Sequence, residues 1–451
     1  MPVAPVPYAP APNESGLDRA IGPWSLGATA VNLSLGAGIF ALPAAVAAIL
    51  GSAAILAYLV CGLAIALVLT CFVELGSQTT RSGGAVAYID DAFGPMAGFT
   101  AWVVYTLAFC AASDAAIALI FLDAVAPAVP ALREGLPRTA ALIVLFGSLA
   151  ATNITGVRQG VRMAVVTTIA KTAPLLFVLA AGLFTMRWSE LGWASWPAIP
   201  TVGEASLLLF FAFSGAEAAL TPSGEIRNPQ RTVPRGMLGG TTALVLIYLS
   251  VQMVSQGVLG AELPLQTGAP LAAVAHRILG AAGWNLIIVC TVVATFGTLA
   301  CDMLASPRAF LPVAADGLLP AAVGRIHPRF HTPHVAIALY AGIGCAFAIS
   351  GAFRPLAVLS SSSLLIVYFV VCLAALRLRF TGARPAGAFR APGGPLVPLA
   401  GMAVAAWLLV QCSAAEAIAL AGAVGAAAAY YLLSRVIGRP RARGRAPRPA
   451  C

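Results

Sequence analysis

About a dozen apolar stretches of roughly 20 residues run through this chain, each long enough to cross a ~30 Å hydrocarbon core as a helix. They fall near 24–50, 52–75, 95–125, 139–157, 162–186, 203–222, 236–258, 283–304, 333–350, 355–376, 396–414 and 417–436. A chain patterned in this way has few choices of fold. Sixty per cent of its residues are hydrophobic and 9% charged, against roughly 25% charged in soluble domains, so it lacks the polar surface to cover a water-soluble globule. The short alternating segments of an outer-membrane barrel are missing, and the spans read as helices whose backbone groups are satisfied internally. The expectation is an all-α polytopic membrane protein of about 12 transmembrane helices.

Charge placement sets the orientation. With a cytoplasmic N-terminus, the inner loops collect Arg81, Arg158, Arg162, Arg227, Arg231, Arg235, Arg308, Arg325, Arg329, Arg377, Arg379, Arg384 and Arg390, followed by the tail from Arg435 to Arg448. The outer loops keep Arg133, Arg138, Arg187, Arg277 and Arg354. That bias predicts both termini inside the cell. The net charge of +10 is then chiefly a topology signal, and no nucleic-acid partner is expected from the arginine-rich tail. Residues 1–22, rich in proline and alanine, lack the basic segment and short apolar core of a signal peptide and read as a disordered cytoplasmic leader.

Other features exclude classes. Nine cysteines are scattered without CxxC or histidine-paired spacing, so they read as small buried hydrophobes, with no metal or other cofactor expected. No Walker loop, GxSxG elbow or HExxH is present; neither an ATP-driven pump nor a membrane hydrolase has its machinery here, and no enzyme is expected.

Two of the spans contain helix breakers. Asn32-Leu33-Ser34-Leu35-Gly36-Ala37-Gly38-Ile39-Phe40 puts two glycines in the first, with Pro43 following; Phe211-Ala212-Phe213-Ser214-Gly215-Ala216-Glu217 joins a glycine to a carboxylate in the sixth, ahead of Pro222 and Gly224. Glycine weakens a helix by about 1 kcal/mol and proline by about 3, and unwound backbone survives at membrane depth only where it lines a cavity or is buried by protein. The breaks fall in the first and sixth spans, so each opens a unit of five. An odd number inverts the second unit relative to the first, the layout of inverted-repeat transporters, whose site lies where the broken helices meet. Close helix packing is the other use of such glycines.

Lys171 is the single lysine of the chain and falls in the apolar run Met163 to Met186. An ammonium there costs about +2.5 to +3.5 kcal/mol on insertion scales. Nine residues beyond Arg162, it lies about 14 Å along the helix, too far for its stem to snorkel to the interface. Unlike arginine, it can lose its charge.

GAGIFALPAAVA in the first span, FFAFSGAEAALTPSGEIRNPQRTVPRG in and after the sixth, and SPRAFLPVAADGLLP after the eighth resemble the amino acid/polyamine/organocation permeases from about Pro23 to Arg435. The resemblance implies a LeuT-like fold, a 5+5 inverted repeat plus two peripheral helices: a first repeat over 23–186, a second over 203–376, peripheral helices over 396–436 and a basic tail at 437–451. It implies secondary transport of amino acids or related amines by alternating access across the cytoplasmic membrane, with a homodimer as an open arrangement. It also implies that the amides of Ala37 and Gly38, beside Gly36, hold a substrate carboxylate, and that the carbonyls of Ser34, Phe211 and Ser214, beside Gly215, hold its amino group. Half-helix ends have the partial charges for both. Ala37 stands where some relatives have a serine hydroxyl.

Phe211 matches the aromatic that closes over substrate in that family, whereas Phe213 and Phe40 read as packing. Glu217 has two readings, a proton-carrying carboxyl or a cap on the second half-helix. Asp302 has three: a substrate contact, a counter-charge to Lys171, or a charge near the cytoplasmic end of its span. Asp114 is a further acid in a span, and Glu74, near Arg81, reads as interfacial. By the same resemblance Lys171 takes the place a sodium ion holds in sodium-coupled relatives, with Thr298 as its hydroxyl partner. Proton-coupled uptake is the expected mechanism; an amino acid or polyamine exchanger and a transporter-like amino acid sensor are the alternatives.

Overall fold

The computed structural model describes residues 19–78, 83–155, 160–193, 195–381 and 387–437. The N-terminal leader up to residue 18, Arg81, Arg158, Arg384, the side chain of Arg162 and the tail beyond 437 lie outside them. The described chain is helical: α1 (Pro23–Ser34), α2 (Gly38–Leu50), α3 (Ile55–Gly76), α4 (Gly84–Phe93), α5 (Pro95–Val103), α6 (Ala111–Val125), α7 (Gly135–Thr155) and α8 (Gly160–Thr185) come first. Then follow α9 (Ile199–Phe213), α10 (Pro229–Leu259), α11 (Pro270–Ala305), α12 (Phe310–Ala315), α13 (His334–Ser350), α14 (Phe353–Thr381), α15 (Leu396–Val410) and α16 (Ala414–Ile437). Among the described residues the β structure is a single bridge between Ile21 and Ile226, which pins the start of α1 beside the loop before α10.

Among the described residues, eight helical runs are long and apolar enough to cross a membrane, and three shorter apolar helices accompany them. The chain is a multi-pass membrane protein. Helix boundaries move outward from the expected ones where polar residues extend a helix past the hydrocarbon. Thus α10 begins at Pro229, whose fixed φ suits a first turn, and α11 begins at Pro270 and bends at Gly280 (φ 66°). Two short helices, α4 and α12, fall between the expected spans because hydropathy alone does not register them. The long run from Pro95 to Val125 carries a π-helical turn over Val104–Cys110, a feature that often accompanies functional positions.

Packing between helices rests on small residues where there is no water to expel. At the α1–α10 contact a Cβ on Gly27 would sit 2.8 Å from the Gly236 carbonyl oxygen, and one on Gly240 would sit 2.9 Å from the Gly27 carbonyl. The two backbones touch there, and only glycine permits it. Around this contact α3 packs on α9, α10 and α15, α11 packs on α6 and α8, and α13 packs on α6 and α7. α14 is held by α3, α6, α9 and the π-helical turn, which places it against both the second break and the acidic side chains described below.

One charge is seated otherwise than expected. Glu74 is 1% exposed and forms a bidentate pair with Arg379 of α14, Nε to Oε1 at 2.7 Å and Nη2 to Oε2. The Ala391 amide donates to the same carboxylate at 3.1 Å. Glu74 is therefore a buried clasp between α3, α14 and the following loop, not an interfacial charge. The partner lies far away in sequence, where proximity along the chain points instead to Arg81.

Candidate functional site

Both expected breaks are present, and they meet. α1 stops at Ser34, Leu35 takes up a non-helical ψ of 60°, and α2 restarts at Gly38. α9 stops at Phe213; Ser214 is extended and Gly215 is left-handed at φ 106° before a 3₁₀ turn over Ala216–Leu220. A Cβ on Gly38 would lie 3.0 Å from Cα of Ala212, and one on Gly215 would lie 2.9 Å from the Leu33 carbonyl oxygen. Each break thus uses a glycine to let the other helix's backbone approach. The first amides of α2 have no intrahelical acceptor, which suits an anion, while the end of α9 presents carbonyls.

Those carbonyls are partly engaged already. Ser34 O accepts from the Gly36 amide at 2.6 Å and from the Tyr248 hydroxyl of α10 at 2.8 Å. Phe211 O accepts from the Ser214 hydroxyl at 2.7 Å. Tyr248 also reaches Ala212 O at 2.8 Å. A phenol carries one hydrogen, so a single side chain is shared between the two breaks. Phe213 stacks on Tyr248 with ring centroids 4.6 Å apart, which is packing, as is the buried Phe40. A Cβ on Gly38 would also come within 3.2 Å of Phe211 Cδ1, and the Phe211 ring lies edge-on to Phe353, 5.9 Å away. Phe353 in turn lines a cavity of about 700 Å³ between the ends of α6, α7, α13 and α14.

Glu217, 2% exposed, accepts from the Gly215 amide at 3.0 Å, from the Tyr368 hydroxyl of α14 at 2.5 Å and from the Tyr105 hydroxyl of the π-helical turn at 3.3 Å. It caps the break and ties it to two neighbouring elements. Three donors on one buried carboxylate make a well-satisfied ion.

Lys171, 6% exposed, donates to the Asn32 carbonyl at 2.8 Å, one turn before the first break. Its own carbonyl accepts from the Cys290 thiol of α11 at 3.2 Å. The Thr298 hydroxyl bonds back to Ala294 O at 3.0 Å, the common habit of a helical threonine, and among the described residues the Lys171 ammonium donates to Asn32 O instead. Asp302 keeps the counter-charge to Lys171 among its three readings and adds a contact that none of them contained. Its carboxyl group lies within hydrogen-bond reach of Asp114 on α6, while Lys171 acts on it electrostatically from α8. The rotation of α11 about its axis decides this, and sequence spacing alone did not contain it. Tyr248, Tyr105 and Tyr368 had no motif to mark them, since a tyrosine in an apolar span is most often packing.

Residues 21–433 match the amino acid permease family. The chain is 27% identical over 431 residues to the serine/threonine exchanger SteT of Bacillus subtilis, covering 91% of this chain and 96% of that one. It is 31% identical over 425 residues to an uncharacterised transporter of Mycobacterium tuberculosis, covering 90% and 89% respectively. Similarity also extends to the chloroplastic cationic amino acid transporter 9 of Arabidopsis thaliana, at 30% over 337 residues, 69% of this chain and 58% of that one.

Proposed function

Because the chain belongs to the amino acid permease family, we propose that it takes up amino acids across the cytoplasmic membrane by alternating access, coupled to protons, with Lys171 in the place of a sodium ion. The observation that carries this reading is the Lys171 ammonium seated on the Asn32 carbonyl at 2.8 Å. A fixed cation there does what a bound sodium would do, holding α8 to the broken α1. The proposed frame is two inverted five-helix repeats, 23–186 and 203–376, with peripheral helices at 396–436 and both termini in the cytoplasm.

In this frame the amides of Ala37 and Gly38 take the substrate carboxylate, beside the turn at Gly36. The carbonyls of Phe211 and Ser214, next to Gly215, take the ammonium, and Ser34 O joins them when Tyr248 turns to Ala212. Phe211 closes over the substrate from the side of the Phe353 cavity. Glu217 keeps the second break in shape, and Thr298 lies on the helix that moves against Lys171. Asp302, engaged by Asp114, is not free to select a cationic side chain, which favours neutral amino acids.

Uptake into proteoliposomes with and without an inward proton gradient tests the reading. Gradient-dependent accumulation is expected; accumulation that ignores the gradient and needs amino acid on the far side supports the second reading, an exchanger. What favours that second reading is the similarity to SteT, a serine/threonine exchanger.

A further inference from the structure

Next to the breaks, α6, α11 and α13 enclose titratable side chains to which the transport cycle above gives no task. Asp114 on α6 is 1% exposed. Its Oδ2 accepts from the Tyr340 hydroxyl of α13 at 2.8 Å. Its Oδ1 is buried and receives no hydrogen bond from any N–H or hydroxyl among the described residues. What does face Asp114 is the carboxyl group of Asp302, within hydrogen-bond reach from α11.

Two carboxylates cannot share such a contact while both are ionised, because neither brings a hydrogen to it and like charges repel strongly out of water. A single proton removes both problems: one group becomes the donor, the other the acceptor, and the stranded oxygen is satisfied. The surroundings favour this count. From α8, Lys171 is the one cation acting on Asp302 among the described residues. From the π-helical turn, Cys110 and Tyr105 face the pair; from α13 comes Tyr340; on α11 itself stands Cys301; and Glu217 acts on Cys110 and Tyr105 from the second break. One proton on the pair leaves one negative charge against one ammonium. Without that proton two carboxylates face one ammonium in a low-dielectric interior.

We propose that Asp114 and Asp302 share one exchangeable proton and that this carboxyl pair between α6 and α11 is the site through which transport is coupled to the proton gradient. The proposal rests on the proton-coupled reading above and assigns its proton to the carboxyl pair, leaving Lys171 permanently charged. The proton enters from water onto one carboxyl oxygen, bridges the pair while α6 and α11 are in contact, and returns to water on the other side; no other bond changes.

Two measurements on the full chain test it. Infrared difference spectra of the reconstituted protein, taken between acidic and alkaline buffer and repeated in deuterated water, should show a protonated-carboxyl band in the wild type. That band should be lost in both Asp114→Asn and Asp302→Asn, where the amide itself donates to the remaining carboxylate, and kept in Glu217→Gln. Because Asp302 is only half-buried, Asp302→Asn stands as the decisive variant if Asp114→Asn fails to fold. A band that persists in Asp302→Asn, or is absent from the wild type, overturns the proposal.

The second measurement is proton flux beside flux of radiolabelled L-serine in proteoliposomes containing a pH dye. Serine-driven proton movement in the wild type should be lost in Asp302→Asn. Wild-type movement that persists in both variants overturns the shared-proton site and leaves the coupled reading intact. A wild type that transports serine without moving protons overturns the coupled reading itself.

Discussion

Replacing Lys171 by methionine separates what the ammonium does for stability from what it does for transport. The side chain is 6% exposed and donates to the Asn32 carbonyl at 2.8 Å. Removing the buried charge returns about 2.5–3.5 kcal/mol on insertion scales. Losing a charge-assisted hydrogen bond costs about 1.5–3 kcal/mol. The two nearly cancel, so Lys171→Met should melt within about 2 kcal/mol of the wild type, on the stable side if on either, since methionine fills the same volume. Transport should not be spared: with α8 no longer fastened to α1, the first break loses its tether and the energy of that bond, about tenfold per 1.4 kcal/mol, goes missing from the occluded state. The expected result is a folded, monodisperse protein with transport reduced by roughly 10- to 150-fold. Thermal melting in detergent and initial uptake rates in proteoliposomes are the assays. A variant that transports and couples like the wild type would refute the tether, and a large loss of stability would refute the cancellation.

The remaining expectations concern the frame. Glu74→Ala leaves Arg379 charged and buried, and should destabilise by about 3–5 kcal/mol; replacing both partners by leucine should recover most of that loss, checked by melting of the two variants side by side. Gly215→Ala combines a left-handed φ of 106° with a Cβ 2.9 Å from the Leu33 carbonyl, so a strain of about 1–3 kcal/mol at the meeting of the breaks should appear as weakened substrate binding in a thermal-shift titration. Tyr368→Phe removes one of three donors from Glu217 and should cost about 1.5–3 kcal/mol in melting stability.

What could be read from the chain followed from local chemistry. Glycines and a proline in apolar surroundings weaken a helix wherever they stand, so both breaks were visible, and Lys171 was visible because a charge inside hydrocarbon is rare. What could not be read was partner identity. Sequence proximity sets Glu74 near Arg81, yet it pairs with Arg379 from α14. Helix neighbourhood sets Thr298 near Lys171, yet its hydroxyl bonds to its own helix. In a bundle of apolar helices the hydrophobic pattern says little about which face of a helix points to which neighbour, because nearly every face is apolar. Rotation about the helix axis is then set by glycine contacts such as Gly27 with Gly236 and Gly240, whose effect on distant side chains is not written in any one span.

The same reasoning explains why the polar groups of this bundle come in fastened sets. A lone polar group in hydrocarbon destabilises wherever it points, so each one constrains the rotation of its helix toward a partner. Tyr248 constrains α10 toward both breaks, Glu217 constrains α14 and the π-helical turn toward the second, and Lys171 constrains α8 toward the first. Because these fastenings converge on two short stretches of unwound backbone, a rearrangement at the breaks is felt by α8, α10 and α14 together. Asp114 and Asp302 fasten α6 to α11 by a contact that holds only while a proton is present, which makes it the one junction in this set that the proton concentration on either side of the membrane can open.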